Sequence, residues 1–226
     1  MSKRYELIVF DWDGTLMDSE ARIVACMLRA AAELAMPIPT QAAARDIIGL
    51  GLPEAMRKLF PDADARTVGA LVDAYRSHWL GNQVNAATMF GGAFDLVEGL
   101  HHAGYLLAVA TGKSRHGLDK SLDESGLKGF FHTTRCADEA FSKPHPQMLL
   151  EILVDLDTHP NAAIVIGDTE YDMQMARAAS VDAVGVSHGV HASDRLMAHG
   201  AMACFDDLFQ LSGWLYKPTG SSKDGK

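Results

Sequence analysis

Cysteine is scarce: Cys26, Cys136 and Cys204 are the only three in 226 residues. They lie far apart without paired spacing, which excludes a disulfide framework, argues against a thiolate zinc site and suits a reducing compartment, so a cytoplasmic location is expected. Positive charge is in deficit, with 20 Lys and Arg against 29 Asp and Glu and a formal net charge of -9. That balance speaks against nucleic acid or an anionic membrane as partner, and no basic patch with interleaved aromatic residues offsets it. Long apolar runs are missing too. The charged stretch Met1-Ser2-Lys3-Arg4 leads only into Leu7-Ile8-Val9-Phe10, too short for a signal peptide or a membrane span. What is present is 48% hydrophobic content, enough for a substantial core with an insertion.

The run Leu7–Phe10 has the composition of a strand buried on both faces, and it ends in Asp11-Trp12-Asp13-Gly14-Thr15. Two acids one residue apart at a strand's carboxyl end repel each other in an apolar site unless a cation lies between them or one carries a proton. Taken alone, Asp-x-Asp-Gly reads equally as a strand followed by a turn. Two further buried strands end in suitable chemistry. Tyr105–Ala110 leads to Thr111-Gly112-Lys113-Ser114, whose hydroxyl and backbone N–H groups suit phosphate oxygens as well as a plain helix start. Ala162–Ile166 leads to Gly167-Asp168-Thr169-Glu170-Tyr171-Asp172, where either acid also suits a helix cap. Between them, Lys143-Pro144 opens an amphipathic segment through Met148, Leu149, Ile152, Leu153 and Leu156.

Together, Asp11-x-Asp13-Gly14-Thr15, Thr111, Lys143-Pro144 and Gly167-Asp168-x-x-x-Asp172 resemble the four motifs of the haloacid dehalogenase-like hydrolase superfamily. The resemblance runs from Tyr5 to about Trp214 and is nearest the phosphoglycolate-phosphatase-like branch with a helical cap. Trp12, Gly112 (often Asn) and Ser142 (often Gly) depart from the pattern without removing a reacting group.

The resemblance implies a doubly wound, mostly parallel α/β Rossmann-like sheet with an inserted all-helical cap. It implies an Mg²⁺-dependent phosphatase acting on a small phosphorylated metabolite, phosphoglycolate-like or a sugar phosphate. Asp11 would be the nucleophile and Asp13 the general acid and base. Thr111 with the N–H groups of Gly112 and Lys113 would hold phosphoryl oxygens, and Lys143 would neutralise nucleophile and phosphate. Mg²⁺ would be held by Asp11, the main-chain carbonyl of Asp13 and Asp168, with Asp172 binding or orienting from the outer shell. A sugar-phosphate mutase is the alternative, but the nearest base after the cap-loop glycines, Arg57, lies a turn too far along. A receiver-type switch is much shorter and has no place for the inserted helices, and a non-catalytic binding protein would be expected to have lost a reacting group.

Residues 17–88 read as helices without an intervening strand, and are expected to form the cap between core segments 1–16 and 89–216. Asp18 or Ser19, Thr40 and Asp64 are candidate helix caps, and Pro53 sits in a first turn. The apolar loop Ile48-Gly49-Leu50-Gly51-Leu52-Pro53 reads as a plain connection. By resemblance it reaches over the site and reads the substrate, with Gly49 and Gly51 as substrate-binding residues. A small polar or anionic leaving group is expected, gripped by Lys113 and shielded from water by Leu50 and Leu52. Gly91-Gly92 suits a hinge. A short strand is expected near Phe131-His132, with Asp138 and Glu139 as loop charges or lysine orienters. His188 and His191 lack an acid or thiol at ligand spacing, and His145 is close enough to line the site. The tail 217–226 lacks apolar residues and is expected to be disordered. A monomer or homodimer is expected.

Overall fold

The computed structural model describes residues 4–81 and 87–216, so the tail expectation for 217–226 lies outside the described residues. The chain opens with β1 (Leu7–Phe10) and β2 (Met17–Asp18), followed by helices α1 (Glu20–Glu33), α2 (Gln41–Asp46), α3 (Leu52–Leu59) and α4 (Ala65–Gly81). It continues through β3 (Thr88–Met89), α5 (Ala93–His102), β4 (Leu106–Thr111), α6 (Arg115–Ser125) and β5 (Thr133–Cys136). The last part holds α7 (Gln147–Asp155), β6 (Ala163–Gly167), α8 (Glu170–Ala178), β7 (Asp182–Val186), α9 (Ser193–Ala198), β8 (Cys204–Phe205) and α10 (Leu208–Leu215).

Six strands form one parallel sheet in the order β5-β4-β1-β6-β7-β8. Alternation along β1 divides the core into two layers. Ile8 and Phe10 pack with Leu96 and Leu100 of α5, Leu118 and Leu122 of α6, and Leu208 and Leu211 of α10. Leu7 and Val9 pack with Met148 and Ile152 of α7, Met173 and Ala176 of α8, and Leu196 of α9. Because both faces are covered, all of β1 must be apolar, and its first acid, Asp11, comes only at the strand's carboxyl end, where it too is buried. Phe10 lies beside Val109 of β4 and Ile166 of β6, so Asp11 leaves the sheet between the ends of those two neighbours. The crevice beyond those ends, where the strand order switches, is where open α/β sheets bind ligands.

Helices α1 to α4 bury their own cluster, including Ile23, Met27, Ile48, Met56, Leu71 and Val72, and Val190 from the loop after β7 reaches into it. Truncating a fully buried member such as Leu71 to Ala would cost roughly 2–5 kcal/mol. Thr40 Oγ1 accepts from Ala43 N at 3.1 Å, Asp64 Oδ1 accepts from Thr67 N at 2.8 Å, and Pro53 lies in the first turn of α3, all as their residue types predict.

Three expectations need correction. The helical stretch is not free of strand: β2 and β3 pair antiparallel, Met17 beside Met89, and tie together the two passages between core and insertion. The strand expected near Phe131 begins at Thr133. Ser19 stands at the cap position of α1 but makes no side-chain cap, because its hydroxyl is used elsewhere. Gly92 sits at φ 81°, and a Cβ there would lie 2.8 Å from the Phe209 ring, so it forms a packed left-handed turn.

Candidate active site

Asp11 is buried at the end of β1, its N–H donated to Ile166 O at 2.8 Å. Lys143 is fully buried and its ammonium bridges two acids, 2.8 Å from Asp11 Oδ1 and 2.7 Å from Asp172 Oδ1. Burial opposes the charge on Lys143, but the Asp11 and Asp172 carboxylates outweigh it and hold the ammonium above the ordinary lysine range. Asp172 is fixed by its second oxygen, which accepts from Thr169 Oγ1 at 2.6 Å and Thr169 N at 3.1 Å. Capping and site roles therefore coexist in one side chain.

Asp168 stands opposite. Its oxygens accept from Thr15 Oγ1 at 2.7 Å and Val190 N at 2.9 Å. Gly14 closes the turn above it at φ 84°, where a Cβ would lie 2.1 Å from Asp168 Oδ2, so both backbone angle and space require glycine.

Oxygens of Asp11, Asp168 and Asp172 lie within 4.8 Å of one another, three buried carboxylates against the one Lys143 ammonium. Burial, followed by the neighbouring acids, raises Asp11 well above the ordinary carboxylate range despite Lys143. Burial and the charge of Asp172 push Asp168 up to about 7 against the hydrogen bonds from Thr15 and Val190. Asp11 Oδ2 is buried without a hydrogen-bond partner. A cluster with surplus negative charge, an orphaned carboxylate oxygen and only hard oxygen donors fits a divalent cation such as Mg²⁺.

The Asp13 carboxylate faces away from this cluster. Its Oδ1 accepts from Ser19 Oγ at 2.6 Å, and Lys113 Nζ lies 2.8 Å from Oδ1 and 2.9 Å from Oδ2. Any bond from Asp13 to a metal in the cluster is thus left to its main chain. Thr111 is buried at the end of β4 and its Oγ1 accepts from Lys113 N at 3.2 Å, turning the loop that carries Gly112 and Lys113 over the crevice.

A cavity of about 430 Å³ opens from Asp11, Asp13 and Thr111 into the helical insertion. Gly49, Gly112 and Lys113 line it, and Gly51 does not. Gly51 instead donates its N–H to Ser142 Oγ at 2.6 Å. Gly112 meets the same loop, since a Cβ there would lie 2.5 Å from Leu50 O and 2.7 Å from Gly49 O. Two departures from the family pattern, Gly112 and Ser142, therefore hold one loop. The expected free cation is also absent at this point, because Lys113 is engaged by Asp13 and lies 4.8 Å from the Trp79 ring centre.

Other expectations fall away for physical reasons. Trp12, one of the departures from the family pattern, is fully buried in the core, edge-on to Phe131, and does not line the cavity. Asp138 and Glu139 serve Arg115, not Lys143. His145 is exposed against Phe141 and lines nothing in the cavity. His188 bonds Thr15 O, and His191 accepts from Glu170 N. Sequence reasoning missed Ser19, taken for a cap, as well as Thr15 and the Val190 amide behind Asp168. It also missed Tyr75 and Trp79, whose spacing of four on one helix was the available signal.

A buried carboxylate at the end of the central strand β1, a lysine bridging it to Asp172, and the acids that follow β6 meet at one edge of the parallel sheet. Residues 8–186 match the family model described as haloacid dehalogenase-like hydrolase, and the chain belongs to that family. It is 34% identical over 212 residues to a Dickeya dadantii protein named probable phosphatase IndB, covering 92% of each chain. It is 28% identical over 220 residues to the phosphoglycolate phosphatase of Rhodospirillum rubrum, covering 93% of this chain and 91% of that one. In fold it is similar to a hydrolase from Pseudomonas syringae, with a TM-score of 0.84 at 23% identity over 92% of this chain and 96% of that one.

Proposed function

We propose that this protein is an Mg²⁺-dependent phosphatase that hydrolyses a metabolite-sized phosphomonoester through an aspartyl-phosphate on Asp11. The observation that carries the reading is Asp11 itself, buried between Lys143 and Asp168 with one oxygen free of protein hydrogen bonds. Phosphatase-named relatives support it.

Asp11 and Asp168, with the main-chain carbonyl of Asp13, would hold the cation, and Asp172 supports them while fixing Lys143. When bound, Mg²⁺ supplies the positive charge that lets a carboxylate approach an anionic phosphate. Asp11 Oδ2 attacks phosphorus, the bond from phosphorus to the ester oxygen breaks, and that oxygen leaves with the electron pair. Asp13, oriented by Ser19 and Lys113 and entering this step in its carboxylic acid form, gives the leaving alkoxide its proton and becomes a carboxylate. In the second half Asp13 takes a proton from water, the water oxygen bonds to phosphorus, and the bond to Asp11 breaks to restore the carboxylate. Thr111 and the Gly112 N–H receive phosphoryl oxygens, and Lys143 balances charge on Asp11 throughout.

Transfer to water is favoured over transfer to a second sugar hydroxyl. Arg57 is exposed on Glu54 at 3.1 Å and does not line the cavity, so the cap loop offers no basic cradle for a second phosphate. The test is the Asp11→Asn variant, whose amide cannot form the acyl-phosphate. It is expected to fold as the parent does and to lose phosphatase activity, as the parent should in EDTA. Sustained turnover in Asp11→Asn would refute the reading.

A further inference from the structure

The cavity that runs from the carboxylates of Asp11 and Asp13 into the helical insertion is walled largely by hydrocarbon on the insertion side, while Lys113, Ser114, His116, Lys120 and Asp138 line it from the core side. Ile23, Met27, Ile48, Leu52, Tyr75 and Trp79 line it from the insertion side, and the first three are nearly fully buried. Beyond the phosphoryl end its charged lining residues Arg76, Lys120 and Asp138 are exposed, and both cations have acids beside them. Arg76 lies 3.7 Å from Asp73, and Lys120 lies 3.7 Å from Glu124. Lys113, which a carboxylate or sugar hydroxyl would need as a partner, is closed on Asp13.

Tyr75 and Trp79 make a fixed aromatic wall. Their rings stack at 16° with centres 6.1 Å apart, and the Arg22 guanidinium lies 4.1 Å from the Trp79 ring centre while donating to Trp79 O at 2.7 Å. Burial, and then the charge of Asp13, raises the hydroxyl of Tyr75 well above the ordinary tyrosine range.

Polar groups set against such a wall lose water without gaining a partner, whereas apolar groups gain from burial. The volume, about 430 Å³, falls in the range that encloses a drug-sized ligand and exceeds what a two-carbon acid fills. We infer that the substrate of this site is a phosphomonoester whose alcohol carries a flat apolar or aromatic group, with Tyr75 and Trp79 as the residues that select it. The inference rests on the phosphatase reading above and sets phosphoglycolate and simple sugar phosphates aside as best substrates.

The test compares 2-phenylethyl phosphate with ethyl phosphate and phosphoglycolate, all alkyl esters, so that leaving-group chemistry does not decide the outcome. With Mg²⁺, kcat/KM for 2-phenylethyl phosphate is expected to exceed that for ethyl phosphate roughly 30- to 100-fold, corresponding to burial of about half a phenyl ring. In Trp79→Ala the ratio between the two esters should fall to roughly fivefold or less. Equal kcat/KM for the two esters, or a preference for phosphoglycolate, would overturn the inference and leave the phosphatase reading intact. If no ester turns over, the phosphatase reading fails, and the pocket is then read by calorimetry on Asp11→Asn with Mg²⁺. There, 2-phenylethyl phosphate binding at least tenfold tighter than ethyl phosphate supports the apolar site, and equal affinity refutes it.

Discussion

Replacing Gly112 by alanine tests whether the loop over the site is held by contact with the end of β4. The added Cβ would lie 2.5 Å from Leu50 O and 2.7 Å from Gly49 O, both backbone atoms that cannot rotate away. Ordinary contact begins at 3.4 Å, so the loop must retreat by about 0.9 Å from Leu50 O, the difference between 3.4 and 2.5. Retreat also strains the Gly51 N–H bond to Ser142 Oγ. A positioning element misplaced by about 1 Å costs up to ~100-fold in rate, so kcat/KM for the best-bound ester should fall by about 10- to 100-fold. Ethyl phosphate, which makes few contacts with Leu50 or Leu52, should lose less than about threefold. Circular dichroism should show the parent fold, because the clash is confined to one loop. Unchanged kinetics on the larger ester would refute the idea that this contact sets the loop. Equal losses on both esters would place the damage in the phosphoryl site instead.

Removing the Ser142 hydroxyl should act on the same loop more gently. Ser142→Ala leaves the Gly51 N–H without its acceptor, a loss of about 1 kcal/mol or roughly fivefold in kcat/KM, measurable by steady-state kinetics. Ser19→Ala removes a 2.6 Å donor to Asp13 and should lower kcat about 3- to 10-fold for alkyl phosphates. An aryl phosphate, whose leaving group needs no proton, should be nearly unaffected, and an equal drop on both would deny Asp13 the acid role. Thermal melts with and without Mg²⁺ should reveal the proton that competes for the acid cluster. Because Asp168 is pushed up to about 7, the folded metal-free protein binds a proton that the unfolded chain releases. That contribution is full below the ordinary aspartate range and is lost as pH rises through about 7. The stabilisation conferred by Mg²⁺ should therefore grow between about pH 5.5 and 7.5, and the growth should shrink in Asp168→Asn.

The parts of the fold that follow from one-dimensional signals were legible in the sequence. Continuous apolar runs marked β1, β4 and β6, and helical spacing with Thr40, Pro53 and Asp64 marked the insertion. Acids, a threonine and a lysine placed after strand ends could only meet at one edge of a parallel sheet. What stayed hidden depended on contacts across long stretches of chain. Ser19 has the sequence position of a helix cap, but Asp13 competes for its hydroxyl and wins because that carboxylate is buried. Lys113 seemed the cation for a leaving group until the fold brought both Asp13 oxygens within 3 Å of its ammonium. His145 is two residues from Lys143 yet turns to solvent, since the backbone there reverses before α7. The pairing of β2 with β3 was invisible because two residues per strand carry no periodic signal.

The most direct test of the account is to trap phosphate on the chain. Asp13→Asn, mixed with an aryl phosphate and Mg²⁺, should still form the intermediate, because an aryl leaving group needs little protonation, but should break it down slowly for want of a base. Rapid acid quench and peptide mass spectrometry should then find one phosphoryl increment, on the peptide that holds Asp11. The double variant that also carries Asp11→Asn should show none. A burst of released aryl alcohol without phosphate on Asp11, or with phosphate on any other residue, would contradict the covalent role assigned to that carboxylate.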